Sequence, residues 1–172
     1  RWQGTTDVTF RWNRANHMHR GFNLQAVDGW GQDEVATHVN RIRMQHNLFT
    51  NIGNSLTTNG SDGWLYLISH DLKNFLADNN TMVSNRPEAG LALYIAYHNG
   101  QMQNIRFKNN ILAGNSYYHI GVDGAPCCQN GLQAAAPNSW TFSGNVLSAV
   151  VPGFRNPAGN QWTDTQAGLG FT

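Results

Sequence analysis

The sequence predicts an all-β chain of stacked parallel strands, and three observations predict it. The first is a recurrence. DVTFRWNRA at residues 7–15, NRIRMQHNLF at 40–49, KNFLADNNTM at 73–82, QNIRFKNNILAG at 103–114 and NSWTFSGNVL at 138–147 repeat one pattern. Aligned on Asn13, Asn47, Asn80, Asn110 and Asn145, the copies step by 34, 33, 30 and 35 residues. A period in this range is the signature of a repeat architecture. The second observation is alternation inside each copy. Five residues before the aligned Asn stand Val8, Ile42, Phe75, Ile105 and Trp140; three before it stand Phe10, Met44, Ala77, Phe107 and Phe142. The residues between are polar apart from Leu76. That period of two marks a strand with one buried face. The third is composition: 22 Asn and 18 Gly suit many tight corners and few helices.

Each unit reads as strand, Asn corner, second strand, variable loop. The second strands are GFNLQAV at 21–27, GWLYLIS at 63–69, GLALYIA at 90–96 and YYHIGV at 117–122. One unit cannot bury its apolar side alone, but a stack can. In register, the five Asn would form a column. Asn tolerates the left-handed backbone of a tight corner, and its amide can bond to the Asn above and below. The expected fold is a single-stranded right-handed parallel β-helix of about five coils, a solenoid. Its hand rests on the general preference of parallel connections. One domain spans residues 1–172, with coils over about 6–150 and a tail from 151 to 172.

The pattern apolar-x-apolar-x-Asn-Asn-apolar-apolar, with long inserts, resembles bacterial right-handed β-helix repeat proteins of the pectin-lyase-like superfamily. It covers roughly residues 6–150, and the tail VPGFRNPAGNQWTDTQAGLGF is similar to the segment after the last coil in some of them. The resemblance implies an exported protein, extracellular or on the cell surface. It does not choose among the lyases, glycoside hydrolases, tailspikes and non-catalytic proteins that share the fold.

Taken in order, the chain opens at Arg1 directly before a coil, without Met or signal peptide, so a fragment of a longer protein is expected. Residues 13–20, NRANHMHR, carry His17 and His19, an H-x-H pair that would bind metal on a strand and is ordinarily solvated in a loop. The loop at 28–39 holds Trp30 beside Asp33, Glu34 and His38. Trp30 would stack on a sugar ring or fold back as a lid. Residues 50–63 are a turn-rich loop, and 64–68 read as core. Ser69, His70 and Asp71 are adjacent in sequence, which does not make a catalytic triad. Cys127 and Cys128 are the two cysteines; they form a vicinal disulfide or remain two thiols, and their spacing is not that of a zinc site. Net charge is +1 with 12% charged residues, which supplies no electrostatic case for nucleic acid, and no apolar run is long enough to span a membrane.

Two candidate sites follow. The first is the outward face of the first strands, where Arg11, Arg43, Asp78, Arg106 and Lys108 would be neighbours. A mostly basic stripe suits an acidic polysaccharide, because Arg binds carboxylates in bidentate fashion. The superfamily's lyases generally use this sheet, so the resemblance favours it. Asp78, Arg106 and Lys108 would carry the chemistry, by elimination or hydrolysis, while Arg11, Arg43 and Trp30 would hold the polymer. Calcium would be admissible, although Asp78 alone is thin for a site that takes 6–8 oxygen ligands. Otherwise Asp78 simply pairs with Arg43 and Lys108. The second candidate is the edge just after the second strands: Asp28, His70, Asp71, His98, His119 and Asp123, suited to acid–base work or explained by ordinary turn chemistry. Against an enzyme stands a non-catalytic glycan-binding or structural surface protein. A fibre module stacking through open ends is a third expectation.

Overall fold

The computed structural model describes residues 5–25, 39–53, 64–70, 72–85, 92–96, 101–113, 120–124, 128–148 and 157–163. Its regular structure is strand throughout, apart from one helix, and the strands form three parallel sheets.

The first sheet has five strands in chain order: β1 (Thr9–Arg11), β4 (Asn40–Gln45), β7 (Lys73–Asp78), β10 (Gln103–Lys108) and β13 (Trp140–Ser143). These are the predicted first strands. The second sheet stacks β2 (Arg14–Asn16), β5 (Leu48–Ile52), β8 (Thr81–Ser84), β11 (Ile111–Ala113), β14 (Val146–Ser148) and β15 (Gln161–Thr163). The third stacks β3 (Phe22–Gln25), β6 (Tyr66–Ser69), β9 (Leu93–Ala96) and β12 (Ile120–Val122). From β1 to β12, successive strands therefore visit the three sheets in turn, and every described repeat lies on the one before. Each of the first four units thus has three strands rather than the two read from sequence. The extra one is the short apolar stretch directly after the Asn corner.

Register follows the predicted alignment. Ile42, Phe75, Ile105 and Trp140 are in line, as are Phe10, Met44, Ala77, Phe107 and Phe142. Most of these residues are fully buried; Val8, Phe10 and Trp140 are not. Rings from different strands meet inside: Phe10 against Phe22 at 5.3 Å, Phe22 against Phe49 at 5.0 Å, Tyr66 against Phe107 at 5.1 Å and Phe107 against Phe142 at 5.6 Å. These are ordinary separations for favourable aromatic pairs. Burial among these rings holds the Tyr66 phenol neutral by pushing its pKa far above the usual value, and its hydroxyl has no hydrogen-bond partner among the described residues.

One polar column runs through this apolar interior. Asn47, Asn80, Asn110 and Asn145 are all at most 2% exposed. Each side-chain Nδ2 donates to the Oδ1 of the next Asn: 3.0 Å from Asn13 to Asn47, 2.8 Å from Asn47 to Asn80, 3.0 Å from Asn80 to Asn110 and 2.9 Å from Asn110 to Asn145. Each backbone N–H donates to that same oxygen. The second amide hydrogen goes to a carbonyl of the preceding layer, as from Asn80 to Met44 and from Asn110 to Ala77. No hydrogen-bonding capacity of these amides is wasted, which is what burial of so polar a group demands.

The left-handed residue of the corner is not this Asn but the one before it. Trp12, His46, Asn79 and Asn109 have φ of 60°, 54°, 54° and 55°, and Gly144 has 68°. A Cβ on Gly144 would come within 2.4 Å of the Asn109 Oδ1, so that glycine serves both the backbone and the space.

The column does not stop at Asn145. Asn145 donates from its N–H (3.0 Å) and its Nδ2 (2.9 Å) to the Oδ1 of Asn160, and β15 pairs with β14. Part of the tail therefore forms a sixth step. The helix α1 (Gln129–Ala135) buries Leu132 and Ala135 against β12, the last strand of the third sheet among the described residues. Cys128, just before it, is fully buried and disulfide-bonded, whereas Cys127 lies outside the described residues.

Asn110→Leu should lower stability by about 3 kcal/mol or more, because it strands the donors of Asn80 and the acceptor on Ala77 in the core. Asn13→Leu, at the half-exposed end of the column, should cost about 1 kcal/mol. Urea denaturation of the two variants checks both the size and the order.

Candidate functional site

The first candidate face consists of two rows on the outside of the first sheet. One runs Thr9, Arg43, Leu76, Arg106, Thr141; the other runs Arg11, Gln45, Asp78, Lys108, Ser143. Parallel strands lie about 4.8 Å apart. Asp78 and Lys108 are thus direct neighbours, while Leu76 separates Arg43 from Arg106 by two strand spacings, and Gln45 separates Arg11 from Asp78. Arg11, Arg43 and Lys108 are exposed; Asp78 and Arg106 are half-buried. Strand geometry brings all five predicted residues onto one surface.

Asp78 does not pair with the cations beside it. Its Oδ1 accepts from the Nδ2 of Asn79 at 3.0 Å and of Asn109 at 3.1 Å. The ion pair that the described residues do form lies elsewhere, between Asp7 and Arg41 at 2.5 and 2.6 Å. The Arg41 guanidinium, by hydrogen bond first and by charge as well, holds the Asp7 carboxyl below its usual range. That contribution is present at neutral pH and fades as pH falls through the lowered pKa, and both groups are exposed to screening salt. The expectation that Asp78 neutralises Arg43 and Lys108 is thereby corrected: the corner amides occupy it instead. Four cations and one carboxylate share this face, and the Nε of Arg106 is buried without a hydrogen-bond partner among the described residues.

Beside the rows runs a second amide column that the sequence reading missed. Asn74 donates to Asn40 at 2.9 Å, Asn104 donates to Asn74 at 2.8 Å, and the Asn104 N–H donates to the Ser139 hydroxyl at 2.7 Å. Its signal was Asn six residues before the ladder Asn in two repeats, Asn74 and Asn104. Both are left-handed, each with φ of 54°.

The second candidate edge is described at two residues. Asp28, Asp71, His98 and His119 lie outside the described residues, as does Trp30. Asp123 follows Val122, which is in line with Ile95 and Ile68, so Asp123 falls level with Ser69 two strands away; His70 is one residue further on. The two are not neighbours. Asp123 instead accepts from the Tyr94 hydroxyl. Tyr94 packs on Trp64 at 4.5 Å, and the Arg20 guanidinium lies 4.6 Å over the Trp64 ring. Leu65, Tyr66 and Ile68 are core as expected, but Trp64 and Leu67 are only half-buried. Arg20, Trp64, Tyr94 and Asp123 thus bridge the layers on the outside of the third sheet.

Among the described residues, no three side chains of His, Cys, Asp or Glu converge to hold a metal ion. His17 and His19 are both exposed in their turn. Asp78 already accepts two amides through its Oδ1, and one carboxylate is thin for a calcium site. Among the described residues, no helix is long and apolar enough to cross a membrane. Comparison of the chain with family models, with curated proteins and with solved structures finds no match.

Asp78→Asn should leave stability within about 0.5 kcal/mol of the parent, because an amide oxygen can still accept from Asn79 and Asn109. The difference should be the same in low and high salt. Urea midpoints of both proteins at two ionic strengths check this; a loss that shrinks with salt would restore an ion pair with Lys108 or Arg43.

Proposed function

We propose that the chain is a single right-handed parallel β-helix of the pectin-lyase-like kind, exported from a bacterium, and that it engages acidic polysaccharide through the outside of its first sheet. The observation that carries this reading is a row of cations that, among the described residues, form no ion pair with the Asp78 that stands in it. Arg11, Arg43 and Lys108 are exposed on one sheet, and the single acid among them is engaged by amides rather than by the cations. A flat sheet repeats its side chains at strand spacing, so a polymer with repeated carboxylates meets repeated guanidinium forks. Arg is suited to this work because its planar donors match a carboxylate in pairs. Binding, rather than chemistry, is the reading that the described geometry supports best.

Cleavage is the second reading, and Arg106 favours it. Arg106 and Lys108 stand two residues apart on one strand and face the same side, where both would meet one sugar unit. In β-elimination from a uronan, a base takes the C5 proton, the electron pair forms a C4–C5 double bond, and the C4–O bond breaks with protonation of the leaving oxygen. Arg106 and Lys108 would stabilise the enolate formed on the way. Asp78 would serve only in the hydrolytic version, as acid or base.

Affinity electrophoresis in gels containing acidic or neutral polysaccharide, together with mass spectrometry of the incubated polymers, tests both readings. Retardation is expected in acidic gels alone, and the double variant Arg43→Ala/Arg106→Ala should lose at least tenfold in affinity. Equal mobility of parent and variant in all gels would contradict the binding reading. Products short of one water would establish elimination, products that gained water would establish hydrolysis, and intact polymer with binding retained would leave a non-catalytic glycan-binding protein.

A further inference from the structure

The outward side chains of the first sheet alternate along the stack. In one row they run Thr9, Arg43, Leu76, Arg106, Thr141. A guanidinium stands on β4 and another on β10, and each has an uncharged neighbour on either side. The other row runs Arg11, Gln45, Asp78, Lys108, Ser143. The outward pair on β7 is therefore Leu76 with Asp78, and on β10 it is Arg106 with Lys108. Arg11 adds a cation on β1, level with Gln45 rather than with Arg43. From β4 to β10 the face thus reads cation, acid, cation. Two strand spacings separate Arg43 from Arg106, about 9.6 Å along the stack.

The acid in the middle is held in place. Its Oδ1 accepts from Asn79 at 3.0 Å and from Asn109 at 3.1 Å. A carboxylate has about four acceptor sites, so these two bonds do not exhaust it. Placed there, Asp78 repels an anion and accepts from a hydroxyl or an amide N–H. Leu76 beside it is half-buried and offers an apolar seat. A pyranose in an extended, equatorially linked chain advances by close to one strand spacing. A polymer laid along the stack, across the strands, therefore sets one sugar over each layer. Over β4 and β10 the face calls for a carboxylate. Over β7 it calls for a sugar without one.

We propose that the ligand of this face is an acidic polysaccharide with a disaccharide repeat, one uronic acid followed by one neutral sugar, lying along the stack. The inference rests on the glycan reading above and narrows its substrate class. Carboxylates on alternate sugars meet the guanidinium groups of Arg43 and Arg106, with Lys108 beside the second. The neutral sugar between them lays its C–H face on Leu76 and donates a hydroxyl or acetamido N–H to Asp78. A uronan with an acid on every sugar would bring a carboxylate over Asp78, where like charges meet. Asp78 is then the specificity-determining residue of the face. It acts against the wrong polymer, as the two arginines act for the right one.

Isothermal titration calorimetry with oligosaccharides of equal length tests it. The probes are an alternating oligomer of glucuronate and N-acetylglucosamine, an oligomer of glucuronate alone, and a neutral oligomer of N-acetylglucosamine, all equatorially linked. The alternating oligomer should bind about tenfold more tightly than the all-glucuronate one, although it carries half the charge. Charge counting alone predicts the reverse order. Asp78→Asn keeps an acceptor for Asn79 and Asn109 and removes the charge, so it should bring the two affinities to within about twofold of each other. Leu76→Arg, which puts a cation in the middle layer, should make the all-glucuronate oligomer the tighter ligand. Circular dichroism verifies the fold of both variants. Equal or tighter binding of the all-glucuronate oligomer by the parent would overturn the inference and leave the acidic-glycan reading standing. So would a preference that survives either substitution. Binding of neither acidic oligomer, or equal binding of the neutral one, would overturn the glycan reading itself and the inference with it.

Discussion

The structure depends on satisfying a column of buried amides. An Asn side chain in an apolar interior costs several kcal/mol unless its donors and acceptor find partners. Here each finds them in the layers on either side, and nowhere else. The Asn80 amide, for instance, needs Met44 from one layer and Asn110 from the other. A slip of one residue in any strand would withdraw that partner and turn the apolar residues of the strand outward at the same time. Register is therefore specified twice, by apolar burial and by amide pairing. Tilted ring pairs, Phe75 on Phe107 and Phe107 on Phe142, pack in the same interior.

The same constraint arranges the outer surface. Once Ile105 and Phe107 face inward beside Asn110, the pleat sends Arg106 outward and leaves it level with Leu76 and Thr141. The outward set of side chains is a by-product of the face that makes the core. Sharp turning just before the ladder then brings Asn79 and Asn109 to Asp78. Those amides engage the acid, and among the described residues Asp78 forms no ion pair with Arg43 or Lys108. The scaffold supplies spacing and the corner supplies charge balance.

What was legible in the sequence is what strand periodicity encodes. Five Asn at repeat spacing, with apolar residues three and five before them, indicated the first sheet, its register and the outward set Arg11, Arg43, Asp78, Arg106 and Lys108. Sequence alone did not reveal the second sheet, because a strand as short as Arg14–Asn16 places one side chain, Ala15, toward the core and carries no periodicity. Asn160 escaped notice since Pro157, Ala158 and Gly159 precede it in place of an alternating strand. The left-handed residue was assigned to the ladder Asn by propensity, whereas Trp12 and His46, neither of them a usual choice, occupy that position. Stacking of one on the other partly explains their tolerance there. The partner of Asp78 was hidden for a related reason: it depends on corner geometry, which residue spacing does not report.

The measurement that tests this account most directly is hydrogen exchange of the Asn side-chain amides, followed by NMR. If the ladder holds the fold together, the Nδ2 hydrogens of Asn47, Asn80, Asn110 and Asn145 exchange only through global unfolding, at the rate of the slowest core backbone amides. The amides of Asn79 and Asn109, exposed at the corner, exchange orders of magnitude faster. Ladder amides that exchange as fast as those two would contradict the account, because they would be in water rather than bonded to one another through the core.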